Sequence, residues 1–158
     1  VFKDGKALFG GAVTYEQVTN ATMLNVTFES NTAELDGGAI YSMAVELGFE
    51  LVSFVNNQAG NLGSDIFLNN NKFVGIKKSV FSEIRGTSIF SQQTQVIQIN
   101  GSQFTGSSSA TFSSGLEIVE FDSFYGQSNS FSKFVGINGG GIHFNNDREL
   151  TATATVIY

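Results

Sequence analysis

The chain has no cysteine, which excludes disulfides, thiolate metal sites and a cysteine nucleophile. Proline and tryptophan are missing as well. Charge is scarce: Asp, Glu, Lys and Arg make up 14% of the residues, where globular proteins carry about a quarter. Eight basic and 14 acidic side chains leave a net charge of −6 without any basic run, so no nucleic-acid partner is expected. No window reaches the ~18 consecutive apolar residues of a spanning helix, so this segment is not expected to insert into a membrane. There is one histidine, His143, and no GxSxG elbow to serve with it, so it reads as a strand residue beside a glycine bend. What the chain does have is 18 glycines and 16 phenylalanines among 158 residues that are 41% apolar, enough for one buried core.

The phenylalanines are periodic. Phe2, Phe28, Phe54, Phe81, Phe104 and Phe131 recur at steps of 26, 26, 27, 23 and 27. Five positions after each stands a small residue: Ala7, Ala33, Ala59, Gly86, Ser109 and Gly136. A β-branched apolar residue follows in each unit: Val13, Ile40, Ile66, Ile89, Ile118 and Ile142. Its aromatic or apolar companion lies within two positions: Tyr15, Tyr41, Phe67, Phe90, Val119 and Phe144. Two units agree position by position, with Asn31 and Asn57 three residues after their phenylalanines and Gly37 and Gly63 at the next bend. Gly10-Gly11 and Gly37-Gly38 are the paired glycines of that bend, and Gly139-Gly140-Gly141 reads as the same bend in the last unit. Phe124 competes with Phe131 for the final place. Residues 23–28, 45–47, 49–51 and 96–99 alternate apolar with polar and read as strands, whereas no helical stripe of useful length occurs.

A unit of this size cannot bury its own apolar face, and stacking units into one shared core solves the problem. The fold expected is an all-β, right-handed parallel β-helix of about six coils, with neighbouring strands ~4.8 Å apart and a rod about 25–30 Å long. Like positions then lie above one another. The six phenylalanines become an internal stack, each burial contributing roughly 1.5–3 kcal/mol before entropy is subtracted. The small residues sit at a crowded corner. The Ile and Val row, including Ile40 and Ile66, forms a second inward ladder. Asn31 and Asn57 occupy a corner, where asparagine accepts positive φ and can bond the next turn. A β-sandwich is the competing architecture, since evenly spaced strand and turn signals fit it too.

Phe28-x-x-Asn31 and Phe54-x-x-Asn57 match an FxxN motif, and Gly10-Gly11-Ala12-Val13 and Gly37-Gly38-Ala39-Ile40 match GGA-[ILV]. This pairing resembles the repeats of the chlamydial polymorphic outer membrane proteins and other right-handed parallel β-helix repeat proteins. The resemblance runs through residues 1–67 and returns at 131–144. It implies a secreted or cell-surface passenger, adhesive or structural, with no catalytic centre.

The remaining chemistry is sparse. Asp36 and Asp65 flank equivalent glycines and are the candidates for a low-affinity Ca²⁺ or ligand site; with Tyr41 they form the basis of a carbohydrate-binding or polysaccharide-degrading alternative. The stretches Asn20-Ala-Thr22, Asn25-Val-Thr27 and Asn100-Gly-Ser102 are glycosylation sequons, about as many as chance placement yields. Residues 69–72 read as an outward loop, and 107–114 as a flexible loop or a degenerate corner. Residues 1–147 are read as the solenoid segment and 148–158 as a separate strand that caps the end, begins another domain or joins a neighbouring subunit. The chain is expected to be a structural or adhesive module of a larger extracellular or cell-surface protein, without cofactor or bound metal. Its expected partners are other copies or further coils stacked end to end, and a host or matrix glycan or protein.

Overall fold

In a computed structural model the described residues are 1–43, 45–136 and 139–146, together with the backbone of 153–157. They form a parallel β-solenoid of about five turns, with about 26 residues per turn and no helix. The six phenylalanines mark six strands in register, joined by five turn-to-turn steps.

Successive passes of the chain around the axis build three six-stranded sheets. The phenylalanine sheet holds Phe2–Lys3, Thr27–Glu29, Ser53–Val55, Val80–Ile84, Gln103–Gly106 and Ser130–Ser132. The isoleucine sheet holds Val13–Glu16, Ile40–Met43, Ile66–Asn69, Gly86–Gln92, Ser113–Val119 and Ile142–Asn145. The broad sheet holds Asn20–Leu24, Glu46–Glu50, Phe73–Lys77, Val96–Asn100, Ser123–Gln127 and Thr153–Ile157. A short three-stranded sheet of Lys6–Ala7, Thr32–Ala33 and Gln58–Ala59 lies between the first two in chain order. All pairings are parallel and join one turn to the next, so backbone hydrogen bonds run along the axis.

The core is a set of columns. The six phenylalanines pair in register, Phe2 with Phe28, then Phe54, Phe81, Phe104 and Phe131. Their rings stack with centroids 5.1, 5.0, 4.7, 4.4 and 4.8 Å apart and within 10° of parallel. Phe131 holds the sixth place; Phe124 is buried on the broad sheet opposite Ile97. Ala7, Ala33 and Ala59 also align. That row stops after three turns. Gly86 pairs with Ser113 in the isoleucine sheet, not with a residue of the alanine row, and Ser109 lies in the connection before that strand. The next column runs Val13, Ile40, Ile66, Ile89, Leu116, Ile142. Leu116 thus takes the place read from the sequence as Ile118: it stands 12 residues after Phe104, as Ile40 and Ile66 stand after Phe28 and Phe54, and Ile118 pairs with Ser91 instead.

The corners are made by residues with left-handed backbone. Asn25 has φ 55° and ends the strand at Leu24, so residues 23–28 are two strands meeting at a corner and not one. Conversely, 45–47 and 49–51 belong largely to one strand, Glu46–Glu50, with the exposed Leu51 at the corner. Asn70 makes a tight turn in the 69–72 segment, and Asn71 points inward, donating to Ser42 Oγ at 2.9 Å and to the Val45 carbonyl at 3.0 Å. The segment is a corner, not a projecting loop.

Gly10 and Gly37 have φ 56° and 69°. The following glycines are needed for another reason: a Cβ on Gly11 would run into the Gly38 carbonyl, and one on Gly38 into the Ser64 carbonyl. Paired glycines therefore give one left-handed turn and one close backbone approach. Gly139 repeats the bend with φ 71°. Within the 148–158 stretch, Thr153–Ile157 pairs in parallel with Ser123–Gln127 and so extends the stack within the same chain. Residues 148–152 and 158 lie outside the described residues.

Candidate functional site

The polar side chains that the solenoid concentrates are inside it. Asn31 and Asn57 are both buried. Asn57 Oδ1 accepts from the Asn31 backbone N–H at 2.9 Å and from Asn31 Nδ2 at 3.0 Å. Asn31 Oδ1 accepts from the Gly5 N–H at 3.0 Å, and its Nδ2 donates to the Phe2 carbonyl at 3.1 Å. Asn57 Nδ2 donates to the Phe28 carbonyl at 3.1 Å. Each asparagine side chain thus bonds one turn to the next at a corner and takes up a backbone N–H there, that of Gly5 or of Asn31. Neither adopts positive φ. The residue before each one does, Ser30 at 55° and Asn56 at 53°, and this left-handed step turns the asparagine side chain inward.

The ladder ends on a carboxyl. Asp65 is 1% exposed; its Oδ1 accepts from Asn57 Nδ2 at 2.9 Å and its Oδ2 from Ser88 Oγ at 2.8 Å. Burial pushes its pKa up to about 7, and the two hydrogen bonds pull the other way without cancelling it. Among the described residues it is the one titratable side chain in the core. Asp36 is elsewhere, half-buried at the glycine bend, with Oδ1 accepting from the Leu62 N–H at 3.1 Å. The expected surface pair of Asp36 and Asp65 is therefore not formed: the backbone pairs Asp65 with Ala39, three residues beyond Asp36, and its side chain faces the interior. Among the described residues no cluster of three or more His, Cys, Asp or Glu converges as a metal site would require.

Tyr41 stands on the outer face of the isoleucine sheet, stacked on Phe67 at 5.1 Å and donating to Met43 Sδ at 3.1 Å. Phe90 continues that outer stack at 5.7 Å from Phe67. Tyr15 and Val119 do not join it, because they fall one and two residues past the outer row, which ends in Glu117 and His143, 3.5 Å apart. Of the sequon asparagines, Asn20 and Asn25 are exposed. Asn100 is partly buried in a strand, and its sequon partner Ser102 is buried and donates to the Asn100 carbonyl at 3.3 Å.

A second internal ladder was not anticipated. Ser79 Oγ accepts from the Val52 N–H and Ser102 Oγ from the Ser79 N–H, each at 3.2 Å, and Asn129 Oδ1 accepts from the Ser102 N–H at 2.9 Å. These residues all lie two positions before their phenylalanine, where the first turns have Val26 and Val52. The switch from valine to serine and asparagine at that position was the available signal. No protein family, no curated protein and no solved structure matches this chain.

Proposed function

We propose that the chain is a structural and adhesive module, a stiff rod within a larger extracellular or cell-surface protein. The observation that carries this reading is the unbroken phenylalanine stack bonded turn to turn by the asparagine and serine ladders. Bending or sliding one turn against the next would separate aromatic faces and break buried hydrogen bonds together, so the unit resists deformation as a whole. Such a rod holds its outward side chains at fixed intervals, which suits display of a binding face or stacking on further coils or other copies. The resemblance of its FxxN and GGA-[ILV] repeats to those of surface passengers points the same way.

The reading uses no catalytic centre. Small-angle scattering and force spectroscopy of the purified chain test it. A rigid particle of the solenoid's own dimensions that yields in one high-force step supports it; a flexible particle that extends at low force sinks it.

A further inference from the structure

The outer face of the broad sheet carries a feature that the rod itself does not need. In register across its strands, the middle outward row reads Thr22, Gly48, Gly75, Gln98 and Tyr125. Two adjacent glycines leave a notch in the sheet surface, part of a trough of about 230 Å³ that Phe73, Glu50, Lys77 and Asn100 help to line. A second hollow of about 220 Å³ continues it past Asn100 to Gln127.

Gly75 has a packing reason, since a Cβ there would lie 3.0 Å from the Phe73 ring. Gly48 has none. It lies mid-strand without positive φ, and a Cβ would meet only the Thr22 side chain at 3.6 and 3.7 Å, ordinary contact. Glycine inside a strand weakens it, and marks a place where something approaches the backbone closely.

We propose that this trough binds a neutral, linear oligosaccharide lying along the solenoid axis. The strand backbones here are already bonded to the turns on either side, so this face offers no edge for an added peptide strand and must recognise its ligand through side chains. Those side chains are the Gln98 and Asn100 amides, which donate and accept at once, the Thr22 hydroxyl and the Phe73 ring, with the 43% exposed Tyr125 next to Gln98 in the same outward row. A sugar chain presents the same mixture, hydroxyls around apolar C–H faces. Equivalent side chains repeat every ~4.8 Å along the axis, a step comparable to one pyranose unit. Over the glycines Glu50 and Lys77 are paired in register on adjacent strands, so that hollow is balanced in charge and does not select a polyanion, and Lys78 lines only the second hollow. The site deepens the adhesive reading and rests on it for its biological setting.

Calorimetric titration of the full chain with the β-1,4-linked hexamers of glucose and N-acetylglucosamine and the α-1,4-linked hexamer of galacturonate tests the proposal. At least one neutral hexamer should bind. Gly48→Val should weaken it by about tenfold or more while melting at or above the parent temperature, because it fills the notch and suits a strand. Gln98→Ala, a surface change, should weaken binding similarly and decides the matter if Gly48→Val fails to fold. No neutral hexamer bound at millimolar concentration, binding of galacturonate alone, or affinity unchanged in Gln98→Ala would each overturn the trough. Scattering from the same sample distinguishes that failure from failure of the rod.

Discussion

Asp65 gives the solenoid an unusual dependence on pH. Its carboxyl is 1% exposed and receives hydrogen bonds from the neutral side chains of Asn57 and Ser88. In the unfolded chain it titrates near 3.8, in the fold near 7. Between those values the folded protein holds a proton that the unfolded chain has released. Its contribution to stability is therefore complete below pH ~3.8, declines as pH rises, and is gone above about 7. Three pH units at about 1.4 kcal/mol each amount to roughly 4 kcal/mol. Asp65→Asn removes the titration. Its amide can still accept from Asn57 and can donate to Ser88. Urea unfolding followed by circular dichroism, at intervals from pH 4 to pH 8, measures the effect. The two proteins should be nearly equally stable at pH 4, and the variant should be more stable by several kcal/mol at pH 8. Exposed pairs such as Lys3 and Glu29, 2.8 Å apart, contribute little and cancel in the difference. Parallel stability curves, or a carboxyl carbon of Asp65 that titrates near pH 4 by NMR, would refute the reasoning.

The columns make further expectations. Phe54 is stacked on both faces, so Phe54→Ala should cost about 3–5 kcal/mol by urea unfolding, whereas Phe2→Ala, at the 44% exposed end of the stack, should cost much less. Ala33→Leu should overpack the corner between Ala7 and Ala59 at a cost of ~1–3 kcal/mol; an unchanged melting temperature would remove the crowding argument. Gly38→Ala should lower the melting temperature markedly, because its Cβ meets the Ser64 carbonyl, while Gly48→Ala should leave it equal or raised by the ~0.5–1 kcal/mol that a mid-strand glycine costs.

The sequence by itself determined the period and the contents of the columns. A side chain recurring every 26 or so residues in an apolar chain without helical stripes can be buried repeatedly only if the chain coils at that interval, so Phe2 through Phe131, the three alanines and most of the isoleucine row were legible. What tertiary structure decided was direction, in or out, and the corners. A single left-handed residue reverses which face the next side chain takes. That is why Asn25 divides a run that reads as one strand, why Ser30 and Asn56 bear the positive φ expected of their neighbours, and why Asp65 lies inside rather than beside Asp36. Leu116 holds the place read as Ile118 because the column asks for an apolar side chain at the regular distance from its phenylalanine, not for a β-branched one. The notch at Gly48 and Gly75 was illegible for the same reason: two glycines 27 residues apart mean nothing in a linear string, and become one surface only when their strands are laid side by side.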